Sequence, residues 1–149
     1  MTEIIHLNFR LNLSAGESFR YFTSNALLGK WLAVEAEVEP RAGGKYELFW
    51  DPEDRENDST IGCRVLVCQA PKLLVFEWKG ARQFKDFMNK PPLTTVSVFF
   101  TEKDDLTDIH LLHTGWRIGA EWDQARQWFE AAWKGAADKL VSIAGLPAQ

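Results

Sequence analysis

The chain has 149 residues, of which 46% are hydrophobic and 26% charged, and its formal net charge at pH 7 is -4. This length and composition are typical of one globular domain that buries roughly two thirds of its unfolded surface. The acidic balance, with no run of Lys and Arg, argues against a nucleic-acid-binding protein, because phosphate binding needs a concentrated basic patch.

The sequence predicts neither a membrane span nor a secretory leader. No apolar stretch reaches about 18 residues, and the N-terminus lacks a basic segment followed by an apolar core. The two cysteines, Cys63 and Cys68, fall in one predicted strand at an odd separation. They should therefore lie on opposite faces, too far apart for a disulfide. These patterns predict a cytoplasmic protein with reduced cysteines.

Alternation of apolar and polar residues with a period of two recurs along the chain and predicts seven β-strands. The first strand begins near Ile5. Two short helices are predicted after it. Ser14 and Glu17 form a capping box, and apolar residues then continue to Leu32, with a break near Ser24.

Six further strands follow these helices. Strands buried on both faces would not alternate, so the sheet is predicted to be antiparallel, with one face toward solvent. The carboxylates of Glu35, Glu37 and Glu39 fit this outer face. The inward residues predicted for the six strands are Val34, Ala36, Val38, Tyr46, Leu48, Trp50, Cys63, Val65, Val67, Leu74, Phe76, Trp78, Val96, Val98, Phe100, Ile109, Leu111 and His113.

The connections and the last helix complete the pattern. Gly43 and Gly44 predict a tight turn that uses positive φ. Residues 51–60 predict a solvated loop, and residues 80–93 are long for a hairpin loop and predict a short flap. Residues 121–144 predict a long amphipathic helix. Its apolar stripe consists of Trp122, Ala125, Phe129, Ala132, Trp133, Ala136, Leu140 and Ile143.

Each of these elements has a single apolar side, and those sides must cover one another. The sequence therefore predicts an α+β fold in which a curved, seven-stranded antiparallel sheet wraps around the long C-terminal helix. The two short helices lie between strands 1 and 2.

This element order and several short motifs resemble a known superfamily. The motifs are Arg41-x-Gly43-Gly44-x-Tyr46, Leu28-x-x-Trp31-Leu32, Ala70-Pro71-x-x-Leu74-x-Phe76-x-Trp78, Thr94-Thr95-Val96 and His113-x-Gly115. They resemble the helix-grip START/polyketide-cyclase (SRPBCC) superfamily, and within it the branch named for the activator of heat-shock protein 90 ATPase. The resemblance covers nearly the whole chain. It implies a single START-like domain over residues 1–149, with a cavity between sheet and helix that often takes apolar ligands.

Aromatic side chains dominate the predicted interior, and they either pack as a dry core or line a pocket for apolar molecules. Small residues on the helix stripe would leave space above the sheet, which favours the pocket. The residues predicted to line it are Trp31, Tyr46, Trp50, Phe76, Trp78, Phe84, Phe87, Val98, Leu111, His113, Phe129, Ala132 and Ala136.

His113 is the histidine that the alternation places inside. It could orient the polar head of a ligand, or act with Tyr46 as acid or base in a cyclase- or hydratase-type enzyme. The alternative is a core histidine bonded to a hydroxyl or backbone group. His110 and His113 should face opposite sides, so no metal site is predicted. No cofactor motif is present either.

The leading functional hypothesis is a non-enzymatic domain that binds a small apolar or amphipathic molecule. A chaperone-linked role, with a place in the stress response, or another protein interaction is implied only by the family name. A homodimer is predicted if outward apolar residues merge into patches, Phe49 with Leu66 and Phe99 with Leu112.

Overall fold

The structure is a computed structural model that describes residues 3–145, and residues 1–2 and 146–149, the ends of the predicted domain, lie outside them. Within residues 3–145 no helix is long and apolar enough to cross a membrane. The strands are β1 (Ile5–Leu11), β2 (Glu35–Val38), β3 (Tyr46–Phe49), β4 (Val65–Gln69), β5 (Leu73–Trp78), β6 (Thr94–Lys103) and β7 (Leu106–Thr114). The helices are α1 (Ala15–Arg20), α2 (Asn25–Trp31), α3 (Lys85–Met88) and α4 (Ala120–Ala144), with a 3₁₀ turn at Arg82–Phe84.

All seven predicted strands form, and every paired neighbour is antiparallel. Five of them make one sheet in the order β1-β7-β6-β5-β4, and β2 and β3 make a two-stranded sheet. Isolated bridges from Lys45 to Arg64 and from Phe49 to Ser59 join β3 to the segment before β4. The α+β helix-grip fold is thus confirmed, with the regular ladder interrupted between β3 and β4.

The two short helices begin where the sequence signals them. Ser14 caps α1, and its side chain and that of Glu17 form the predicted capping box. Ser24 caps α2 by accepting a hydrogen bond from the amide of Leu27. The two helices are then tied together, because the indole N–H of Trp31 donates to the carbonyl of Tyr21 at 2.8 Å.

Helix α4 buries one stripe against the sheet. The buried members are Ala125, Phe129, Trp133, Ala137 and Leu140, which recur every three or four residues as an amphipathic helix requires. The predicted stripe differs slightly from this one. Ala137 rather than Ala136 is buried against the sheet, and Ala132 and Ile143 are exposed.

A β-bulge changes the facing of β4. The register shifts between Val65 and Val67, so one extra residue enters this strand and the alternation behind it reverses. Val67 pairs with Val75 on the outer face, and Cys68 lies on the inner face. The predicted inward Val67 and outward Cys68 were therefore wrong. Both Cys63 and Cys68 are free.

Phe49 is buried, which corrects its predicted outward position. The guanidinium of Arg55 lies 4.1 Å from the centre of its ring and covers it. Arg55 is held there by Glu35 and Glu37, so these carboxylates anchor the loop that follows β3. Phe49 cannot contribute to an outward patch with Leu66.

Candidate functional site

A cavity of about 320 Å³ opens beside α4, next to the C-terminal ends of β3 and β5. Its walls are largely aromatic. Trp50 follows β3, Trp78 ends β5, and α4 contributes Trp128, Phe129 and Trp133. A concave, mostly apolar space of this size, with a few polar groups, is the usual form of a small-molecule site.

The space exists because the side chains of α4 are small where they face the mouth. Ala132 and Ala136 line the cavity one helical turn apart. Deeper in the wall the rings pack closely. The centroids of Trp78 and Trp133 are 4.9 Å apart, and Trp50 packs edge-on against Trp78 at 5.7 Å. Trp50 is 37% exposed, so it lies at the rim.

Polar residues of the loop 51–60 form the other side of the mouth. Asp51, Asp58 and Ser59 line it, together with Gly80 and Ala81 of the segment after β5.

Ionic contacts hold that loop to the segment after β5. Arg82 contacts Asp58 and Asp54, each at 3.2 Å, and the ammonium of Lys85 donates to Asn57 at 2.7 Å. These three contacts are called the rim clasp below. They connect the two segments that contribute Asp58 and Ala81 to the cavity lining.

His113 lies behind the cavity wall and is fully buried. The indole N–H of Trp133 donates to its Nδ1 at 3.1 Å. An indole can only donate, so Nδ1 carries no proton, and Nε2 must be the nitrogen that donates to Thr94 Oγ1 at 2.9 Å. Burial lowers the pKa of His113 to about 3. The ring is therefore neutral, and both of its nitrogens are occupied.

Tyr46 and Cys63 are buried groups of the core. Tyr46 donates its hydroxyl hydrogen to the carbonyl of Phe22 at 2.7 Å and stacks on Phe76 with 3.7 Å between centroids. Burial raises the pKa of Tyr46, and it raises the pKa of the Cys63 thiol to about 12. Neither group is prepared to act as an acid, base or nucleophile near neutral pH.

The profile of the family described as activator of Hsp90 ATPase homolog 1-like protein matches residues 12–145. The chain belongs to this family. No curated protein matches the chain.

Solved structures with the same fold span nearly the whole chain. The protein PFC0360w, an HSP90 activator from Plasmodium falciparum, is 20% identical with a TM-score of 0.75, over 99% of this chain and 100% of its own. Protein MLL2253 from Mesorhizobium loti is 18% identical, also with a TM-score of 0.75, over 95% and 96%. CalU16 from Micromonospora echinospora is 21% identical with a TM-score of 0.67, over 92% and 73%. At these identities the likeness shows the fold alone.

In this member of the Hsp90-activator homolog family, the predicted site residues divide into two groups. Trp50, Trp78, Phe129, Ala132 and Ala136 line the cavity. The remaining residues do not line it: Phe84 and Phe87 pack beside it, and Trp31, Tyr46, Phe76, Val98, Leu111 and His113 belong to the buried interior. These six side chains are buried behind the cavity, and the prediction that they contact a ligand stays a prediction.

Sequence reasoning missed Trp128, Trp133 and the polar rim. Trp128 lies outside the apolar stripe of α4, and its ring packs against Phe84 and Phe129 at the cavity. A tryptophan outside the stripe of an amphipathic helix was the signal that could have found it. Asp51 and Asp58 gave no such signal, because a polar loop looks the same wherever it folds. Within residues 3–145 no three His, Cys, Asp or Glu side chains could hold a metal ion.

Proposed function

We propose that this protein binds a small apolar or amphipathic molecule in the cavity beside α4. The observation that carries the proposal is an aromatic cavity with a polar mouth on one side. Tryptophan and phenylalanine rings offer large apolar contact area, and the carboxylates at Asp51 and Asp58 stay near water. An amphipathic ligand would place its apolar part against α4 and its polar part at the mouth.

The test is the titration of a neutral fluorescent probe, N-phenyl-1-naphthylamine, into wild type and two variants of α4. Ala132→Leu adds a branched side chain where α4 lines the cavity. Ala131→Leu makes the same change at the neighbouring exposed position, outside the lining. Both positions are exposed, so the free energy of unfolding of each variant should be within about 0.5 kcal/mol of that of wild type.

We expect saturable binding by wild type and Ala131→Leu, and binding weakened by about tenfold or more in Ala132→Leu. The added methylenes would occupy ligand space, and each 1.4 kcal/mol lost is a factor of ten in Kd. Absence of saturable binding by wild type would overturn the proposal. Equal affinity in both variants would show that the probe binds elsewhere.

A second candidate is a chaperone-linked role. What favours it is membership of a family named for Hsp90 ATPase activation, together with the shared fold of the Plasmodium activator. The test is the ATPase rate of purified Hsp90 with and without this protein. A rise that saturates with added protein would support this role, and an unchanged rate at a large excess would exclude direct activation.

The other hypotheses have less to recommend them. A cyclase- or hydratase-type activity through His113 and Tyr46 would need a free nitrogen or hydroxyl, and both groups are bonded within the core. A cytoplasmic location, consistent with two free cysteines, stays a prediction. So does the homodimer, whose remaining outward pair is Phe99 and Leu112.

A further inference from the structure

The four buried tryptophans differ in whether the indole N–H has a hydrogen-bond acceptor. Trp31 donates to a backbone carbonyl, Trp116 donates to the carbonyl of His113 at 3.0 Å, and Trp133 donates to a ring nitrogen of His113. The indole N–H of Trp78 has no hydrogen-bond partner. Trp78 is also the one that reaches the cavity from β5, and only 3% of it is exposed.

A buried donor without an acceptor is costly, so native proteins rarely leave one without a functional reason. Among residues 3–145 only Trp78 Nε1 and Ser18 Oγ are in this situation. Ser18 belongs to α1, away from the cavity, and its hydroxyl can rotate. Trp78 Nε1 is different, because it is a rigid donor on a side chain that lines the proposed binding site.

The surroundings of Trp78 restrict what could accept from it. Indole nitrogen only donates, so the missing partner is an acceptor. A charged acceptor is disfavoured, because one neutral N–H would not replace the hydration of an ion. Lys79 also lines the cavity, but its ammonium lies beside Gly62, which does not line it.

We propose that the cavity selects a ring-shaped apolar molecule bearing an uncharged hydrogen-bond acceptor, such as a ketone oxygen, which takes the indole N–H of Trp78. This rests on the proposed function and names the ligand class. The N–H is covered by its neighbours, so a wall residue must shift to expose it. Trp50 is the neighbour that we expect to move, since it packs edge-on against Trp78 and is partly exposed at the rim.

The test compares two probes of nearly equal shape, indane and 1-indanone, which differ by one carbonyl oxygen. Their dissociation constants are measured by calorimetry for wild type, Trp78→Phe and Trp50→Phe. Trp78→Phe removes the indole N–H donor but keeps an aromatic ring. Trp50→Phe makes the same change in another ring of the cavity wall and leaves the N–H of Trp78 in place. The quantity of interest is the ratio of the indane Kd to the indanone Kd.

We expect this ratio to fall roughly tenfold in Trp78→Phe, the worth of one hydrogen bond. In Trp50→Phe both probes should weaken by the same factor, leaving the ratio at its wild-type value. If both probes bind wild type and the ratio is the same in all three proteins, the inference falls while the proposed function stands. If neither probe binds wild type, the inference falls, and the N-phenyl-1-naphthylamine titration alone decides the proposed function.

A second measurement needs no variant and decides the matter if Trp78→Phe does not fold. The indole N–H resonance of Trp78 is followed by ¹H–¹⁵N NMR of wild type during both titrations. Indanone should move it downfield, as a new hydrogen bond does, and indane should not. Equal shifts with both saturated probes would overturn the inference.

Discussion

At the scale of single residues, His113 shows how burial sets a protonation state. Its pKa is lowered to about 3 because the ring is desolvated, whereas an unfolded histidine titrates near 6.5. Between these values the unfolded chain binds a proton that the folded chain does not. Stability is therefore fully present above about pH 6.5 and is lost as the pH falls toward 3.

The expected result is a slope of roughly 1.4 kcal/mol per pH unit from this one group between about pH 6 and pH 4. Urea unfolding of wild type and His113→Gln over that range measures it, since the difference between the two slopes isolates His113. Parallel slopes would mean that the ring is protonated in the folded state, contrary to the bonding deduced from Trp133 and Thr94.

Glycine 44 is constrained in a different way. A β-carbon there would collide with the carbonyl oxygen of Glu39 and lie 2.8 Å from the Glu39 β-carbon, while Gly43 beside it takes φ of +83°. Gly44→Ala should therefore cost more than about 1 kcal/mol. Gly135→Ala is the matched control, since Gly135 lies in α4 with open space around it and should gain about 0.5–1 kcal/mol in helix propensity. Melting curves would contradict this account if both changes had the same sign.

At the scale of elements, the loop 51–60 depends on Arg55. Its guanidinium covers Phe49 and pairs with Glu35 and Glu37. These pairs are exposed and weak, and the contact with the ring adds a cation–π interaction. Arg55→Ala should therefore lower the free energy of unfolding slightly and speed proteolytic cleavage within the loop. Arg41→Ala, an exposed arginine with one ion pair at 3.6 Å, should change neither.

The elements themselves could be predicted because their patterns are local. The alternation of β5, β6 and β7 placed Phe76, Val98 and Leu111 inward, and the structure buries all three. The bulge in β4 could not be predicted, because no residue type in this strand marks where the extra residue lies. The burial of Phe49 was missed because the residue that covers it, Arg55, lies in a loop. The alternation within a strand carries no information about such contacts.

The candidate site was harder to predict for a related reason. Parity correctly separates the two faces of β5, β6 and β7, but it does not tell where the helix stops covering the inner face. Trp78 and Phe76 have the same parity, yet only Trp78 reaches the cavity. The difference depends on how α4 crosses the sheet and on the small side chains of Ala132 and Ala136. These are properties of the packed molecule.

At the scale of the whole molecule, the outer face of the sheet keeps one apolar cluster. Phe99 lies opposite Leu73 on β5 and diagonal to Leu112 on β7. If this cluster is the interface of a two-fold dimer, light scattering at high micromolar concentration should give the dimer mass, and Phe99→Lys should restore the monomer. Leu66→Lys, at the bulge on β4, is the control that should not. A monomer mass for wild type at that concentration would remove the dimer from consideration.

The rim clasp bears on how fast a ligand exchanges rather than on how tightly it is held. Arg82 is paired with Asp54 and Asp58, and Asp58 and the neighbouring Ala81 both line the mouth, so we expect the width of the mouth to depend on these contacts. Salt screens such exposed pairs. A higher salt concentration should therefore speed association and dissociation of the ligand together and leave its Kd nearly constant. Stopped-flow mixing with N-phenyl-1-naphthylamine measures both rates, and Arg82→Gln should reproduce at low salt what wild type shows at high salt. A change confined to dissociation would mean that the clasp contacts the ligand directly and does not act as a gate.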